Sequence, residues 1–180
     1  MKATGIVRRI DDLGRVVIPK EIRRTMRIRE GDPLEIYTDR DGEVIFKKYS
    51  LMGGMSECAV QLCESLYKTT GCPTLITDRD AVIAVSGIPR REALEKHISA
   101  PLESIMEGRS IYQYREGSNR LPVVENSDSL QVATAAPILT GGDVMGCVVF
   151  AAQDGAAPGG ETEFKLAQTA SGFLGRHMES

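Results

Sequence analysis

Nine cations crowd the first 29 residues: Lys2, Arg8, Arg9, Arg15, Lys20, Arg23, Arg24, Arg27 and Arg29. Only Asp11, Asp12 and Glu21 oppose them, so the segment carries a net charge of +6. Such a density of Lys and Arg is the electrostatic footprint of a phosphate binder. Arg8, Arg9, Arg15, Arg23 and Arg24 fall on or beside turn residues and a helix start. A guanidinium there can hold a phosphate bidentately or read the O6/N7 edge of guanine. The bland alternative is a solvated charged face. The near absence of compensating acids along residues 20–29 favours binding.

Other reactive side chains are sparse. Cys58, Cys63, Cys72 and Cys147 form no Cys-x-x-Cys pair, and their spacings of four and eight match no common zinc pattern. Cys58 and Cys63 sit among apolar residues at helical spacing and read as buried free thiols, and Cys147 lies in a run that reads as a buried strand. His97 and His177 are the only histidines, and both read as surface helix residues with no nucleophile motif nearby. Neither a metal site nor a catalytic constellation emerges, so the chain reads as a non-enzyme with no cofactor.

The 180-residue chain is 42 % hydrophobic and 26 % charged, an ordinary globular composition. Its net charge of −3 argues against a nucleic-acid partner only if it is not resolved by segment. Residues 1–29 carry +6, residues 30–50 carry −3 and residues 51–180 carry −6. No apolar run approaches the length of a membrane span, and no signal-peptide core follows Met1, so the expected location is the cytoplasm.

The elements that must position the cations can be read in order. Residues 5–10 and 15–18 are strand-like around the turn Asp11-Asp12-Leu13-Gly14, and Pro19 opens a helix over residues 20–28. In that helix Ile22, Met26 and Ile28 are expected to face inward and Arg23, Arg24 and Arg27 outward. Residues 34–37 and 43–46 flank Asp39-Arg40-Asp41-Gly42, a strong hairpin signal. The two hairpins look like a loose internal repeat. Fifty residues with three aromatics make a thin core and two short hairpins leave open edges, so an intertwined dimer is the economical solution.

Residues 51–55, with Gly53-Gly54, read as a linker, giving domains at 1–50 and 56–180. A helix ending before Gly71, strands at 74–77 and 81–86, helices from Pro89 to Ile98 and from Pro101 to Gly108, and uncertain strands at 111–114 and 121–125 follow. A hairpin of residues 130–139 and 144–153 precedes a final helix at 161–178. This is an α+β domain with an antiparallel sheet and flanking helices. Phe164, Ala167, Ser171, Leu174 and Met178 recur at 3-4-3-4 spacing on that helix, which suggests an oligomer interface along its seam.

The run from Thr4 through Asp11-Asp12-Leu13-Gly14-Arg15-Val16-Val17-Ile18-Pro19 to Glu21-Ile22-Arg23-Arg24, with Gly31-Asp32-Pro33-Leu34-Glu35-Ile36-Tyr37 and Lys47-Lys48-Tyr49, strongly resembles the AbrB family of bacterial transition-state regulators. The resemblance covers residues 1–50 and implies a swapped-hairpin β-barrel, an intertwined dimer that binds double-stranded DNA. The family's DNA-contacting arginines fall on Arg8, Arg15, Arg23 and Arg24; Lys2, Arg9 and Arg27 are added on charge alone. The longer chain and the closing Ala170-Ser171-Gly172-Phe173-Leu174-Gly175-Arg176 resemble a member with a C-terminal GAF-type domain. That resemblance implies a homotetramer joined partly through GAF-domain helices. It further implies a nucleoid-associated regulator of forespore sporulation genes, activating some and repressing others on deformable, AT-rich promoters. The GAF fold implies a pocket for an unidentified small molecule, whose residues the sequence does not name. Related swapped-hairpin proteins include antitoxins, which makes a DNA-binding protein-interaction module the alternative.

Overall fold

The computed structural model describes residues 4–50, 52–153 and 159–179. The chain divides into two compact units, Met1–Tyr49 and Ser50–Ser180.

In the first unit, helix α1 (Lys20–Thr25) is followed by strands β1 (Leu34–Thr38) and β2 (Val44–Lys48). The strands pair antiparallel, with Ile36 opposite Phe46 and Thr38 opposite Val44. Asp39 closes their turn: its Oδ1 accepts the Asp41 and Glu43 amides at 3.1 and 2.9 Å, and its own N–H donates to the Glu43 carbonyl at 3.2 Å.

The other expected hairpin is only half made. Its turn is closed, with the Asp11 N–H on the Arg15 carbonyl and the Gly14 N–H on the Asp11 carbonyl, both at 3.0 Å. Gly14 holds φ at +76°, the left-handed region that this turn requires and that a side chain would oppose. Yet residues 5–10 and 16–18 are not strands within the single chain. Among the described residues no other segment of the chain ladders with them. Val7 is 87 %, Leu13 71 % and Val17 69 % exposed. Pro19 alone is buried among the described residues of this unit. Strand-forming sequence is present without the neighbour that a ladder needs.

The second unit is an α+β fold. Helix α2 (Ser56–Thr70) is followed by β3 (Thr74–Thr77), β4 (Val82–Ser86), α3 (Ala100–Glu107), β5 (Tyr112–Gln113), β6 (Leu130–Thr140), β7 (Asp143–Gln153) and α4 (Glu161–His177). The five strands form one antiparallel sheet in the order β4-β3-β7-β6-β5. The strands are apolar on both faces, as burial from two sides demands. Leu75, Val149 and Ala151 pack with Leu102 and Met106 of α3 on one face. Ile76, Val148 and Phe150 pack with Ala59, Cys63 and Leu66 of α2 and Ala167 and Leu174 of α4 on the other.

Three expectations are corrected here. Residues 52–55 do not behave as a loose linker: Gly53–Met55 is a 3-10 turn, and Met52 and Met55 are buried in the second unit's core. Residues 89–98 do not form a helix. After the short turn Arg90–Glu92, the Glu95 amide bonds the Val82 carbonyl and the Lys96 carbonyl accepts the Val82 amide, so the sheet edge captures this backbone. His97, expected on a helix, bridges to Ala81 instead.

On α4, Ala167, Ser171 and Leu174 lie against the chain's own sheet, and Phe164 and Met178 are half-buried. Within the chain that seam packs largely on its own sheet. The small residues along it let the helix approach closely: a Cβ on Gly175 would stand 2.2 Å from the Leu139 carbonyl oxygen. The Gly175 carbonyl in turn accepts the Thr140 hydroxyl at 3.1 Å. The outward face carries Gln168, Thr169, Gly172, Phe173, Arg176 and His177, with Phe173 stacked on His177.

Candidate nucleic-acid interface

Three kinds of local structure carry the cations of the first unit. Arg8 and Arg9 lie on the unpaired segment before the turn, Arg15 on the turn, and Arg23 and Arg24 in the last turn of α1; all five are exposed. Arg27 is half-buried, and Lys2 lies outside the described residues.

Helix α1 is only six residues long, so its ends decide whether it forms. Pro19 sits at the N-cap, Glu21 in the first turn, and Arg23 and Arg24 in the last, each on the favourable end of the helix dipole. The exit is a two-bond reversal: the Ile28 amide bonds the Arg23 carbonyl at 2.7 Å and the Arg27 amide bonds the Arg24 carbonyl at 3.3 Å. This pattern normally ends on glycine, but Arg27 holds the left-handed position at φ +52°. Met26, expected inside, is 54 % exposed because the helix stops before it.

A clamp fixes this exit to the β1–β2 hairpin. The Lys48 ammonium donates to the Arg27 carbonyl at 2.7 Å and lies 3.8 Å from the Asp32 carboxylate. Asp32 also accepts the Arg29 amide at 2.8 Å. A second carboxylate organises the turn. Asp11 Oδ1 accepts the Leu13 and Arg15 amides at 3.0 and 2.8 Å, and Oδ2 accepts the Arg15 Nε–H at 2.8 Å. The Arg15 backbone amide, then its guanidinium, hold the Asp11 carboxyl below the usual carboxylate range.

Asp11, Asp32 and Lys48 were not singled out from sequence. The first had a legible signal, an acid four residues before an arginine across a glycine turn. The Asp32–Lys48 contact spans sixteen residues and had none. The arrangement presents guanidinium groups on short, exposed, backbone-braced elements, which suits contact with phosphates and base edges.

Elsewhere the reactive side chains stay apart. All four cysteines are free thiols; Cys63 and Cys147 are buried, whereas Cys58, expected inside, and Cys72 are only half-buried. Among the described residues no three His, Cys, Asp or Glu side chains converge as a metal site.

The stage V sporulation protein T of Bacillus subtilis (strain 168) is 51 % identical to the chain over 179 residues, 99 % of each. The chain belongs to the stage V sporulation protein T family. The family model described as "Stage V sporulation protein T C-terminal, transcription factor" matches residues 54–179. This is a family of sporulation transcription factors. The model described as "Antidote-toxin recognition MazE, bacterial antitoxin" matches residues 7–51. The transition state regulatory protein AbrB of Bacillus subtilis (strain 168) is 65 % identical over 49 residues, 27 % of this chain and 50 % of that one. The first unit of this stage V sporulation protein T family member is thus AbrB-like.

For the second unit, the type II free methionine-R-sulfoxide reductase from Thermoplasma acidophilum matches with a TM-score of 0.55 at 12 % identity, covering 72 % of this chain and 95 % of that one. This likeness is one of fold. The GAF domain/HD domain protein from Geobacter sulfurreducens has a TM-score of 0.49 at 19 % identity, covering 73 % and 99 %. Among the described residues, no helix is long and apolar enough to cross a membrane.

Proposed function

We propose that this chain regulates transcription by binding double-stranded DNA as a dimer through Arg8, Arg15, Arg23 and Arg24, with Lys2, Arg9 and Arg27 adding to the attractive field. The observation that carries this reading is the exposure of Arg8, Arg9, Arg15, Arg23 and Arg24, on an unpaired segment, a closed turn and a short helix, within a segment of net charge +6. The likeness to AbrB over the same residues supports it. Dimerisation follows from the bare apolar side chains and the missing ladder partner of residues 5–10 and 16–18. Pairing with a second copy covers both and doubles the positive field. Tetramerisation through the second unit then falls to the outward face of α4, where Phe173 is 51 % exposed.

The arginines sit on short loops and a one-and-a-half-turn helix instead of a long recognition helix. Such a surface reads groove shape and deformability more than a fixed base code, which favours AT-rich duplexes. The chain acts by binding alone and runs no reaction of its own. It works in the cytoplasm on nucleoid DNA, in the forespore. A small molecule bound by the GAF-like unit would act on this binding only indirectly.

Salt titration tests the reading. Eight arginines of a dimer reaching phosphates give a slope of log K against log salt of about −7. A slope near zero overturns it. Arg8→Ala or Arg23→Ala should weaken binding and flatten the slope by about 2 per dimer while leaving the melting temperature unchanged. The MazE-type likeness suggests a toxin partner instead, but the chain continues beyond residue 51 into a folded α+β unit and belongs to a transcription-factor family.

A further inference from the structure

The two turns of the first unit share one backbone design and carry opposite charges on the residue that closes it. In each, an aspartate Oδ1 accepts the amides two and four residues on: Leu13 and Arg15 for Asp11, Asp41 and Glu43 for Asp39. In each, the aspartate N–H bonds the carbonyl of the fifth residue and a glycine at the fourth holds positive φ. The fifth residue is Arg15 in one turn and Glu43 in the other. The turn therefore forms with either charge, and only Oδ1 is needed to close it. The contact from Asp11 Oδ2 to Arg15 Nε at 2.8 Å is additional to the turn.

We propose that Asp11 is a positioning residue for DNA recognition: its Oδ2 holds Arg15 by Nε, so that the two terminal nitrogens of the guanidinium face outward as a preformed fork. The Arg15 side chain is 70 % exposed, so the rest of the group is open to a phosphate or base edge. Of the five donors of a guanidinium, one is spent on Asp11 and four remain. A long side chain ordered before binding loses less freedom on binding. This rests on the DNA reading above.

The proposal has an unusual sign. Asp11 is an anion beside the surface meant for an anionic partner. On charge alone, its removal should tighten binding. If it positions Arg15, removal weakens binding despite the gained positive charge. Asp11→Asn separates the two roles, because the amide oxygen still accepts both backbone N–H groups while no carboxylate is left for Nε.

The experiment measures affinity of the full chain for an AT-rich duplex across a salt series, for the parent, Asp11→Asn, Arg15→Ala and the double variant. The expected result is a loss on the order of tenfold for Asp11→Asn, a flatter salt slope, and no further loss when the change is added to Arg15→Ala. Unchanged or tighter binding by Asp11→Asn overturns the proposal. So does an equal loss in the Arg15→Ala background, which places the effect in the turn itself. A parent that does not bind the duplex overturns the DNA reading first and is recognised as such. Should Asp11→Asn melt early, Asp11→Ser, whose hydroxyl can accept a turn amide, repeats the same comparison.

Discussion

Asp11 and the cysteines show how neighbours set a side chain's chemistry. The Asp11 carboxyl is lowered first by the Arg15 amide and then by the Arg15 guanidinium, so its charged form is the folded form. A lowered carboxyl adds stability that is present above its unfolded value near 3.8 and is lost as pH falls through the lower folded value. The clamp on Arg15 should hold throughout the neutral range. A carbon-detected titration of Asp11 should give a midpoint below 3.8, moving partway back in Arg15→Ala because the backbone amides remain. Among the thiols, burial pushes Cys63 up to about 12 and raises Cys147 as well. A thiol reagent at pH 8 should label Cys58 in the native protein, label Cys72 more slowly because partial burial and the Glu163 carboxylate raise its thiol, and reach Cys63 and Cys147 only on unfolding. Early labelling of all four would show that α2 and β7 open readily.

At the scale of elements, glycines on one helix make opposite predictions. Gly175→Ala would drive a Cβ into the Leu139 carbonyl, a backbone atom that cannot swing aside, and should destabilise the second unit by at least about 1–3 kcal/mol. Gly172 has nothing within 4 Å of its notional Cβ, so Gly172→Ala should stabilise the helix by about 0.5–1 kcal/mol. Both are read from chemical denaturation. The same helix explains what the sequence could and could not say. Its limits and polarity were legible from Glu161, Glu163 and Arg176. The direction of its small-residue seam was not, because the 3-4 repeat that fits a partner helix also fits a sheet of the same chain. Residues 93–98 were misread for a related reason: local helix propensity lost to hydrogen bonds with Val82, which lies eleven or more residues away. Of the site, the arginines were visible as a run, whereas Asp32 and Lys48 needed the fold to bring them together.

At the scale of the whole molecule, the two units have unequal claims to independence. The second buries apolar residues on both faces of a five-stranded sheet, and the first buries only Pro19 among its described residues. Stability of the first unit should therefore depend on protein concentration by mass action far more steeply than that of the second, whose core is complete within one chain. Thermal unfolding followed at two sets of probes, near Tyr37 and near Tyr112, over a hundredfold range of concentration distinguishes them. The midpoint at Tyr37 should rise with concentration. Coincident, concentration-independent midpoints would show that the first unit is stable without a partner.

The paired turns also bear on how such a regulator diversifies. Backbone geometry asks of the fifth residue only its N–H and C=O, as Arg15 and Glu43 demonstrate. A single codon change there rewrites the charge that the loop displays without refolding it. Hairpins of this one design can thus present different charges, and so suit different partners, while keeping the same aspartate- and glycine-shaped backbone.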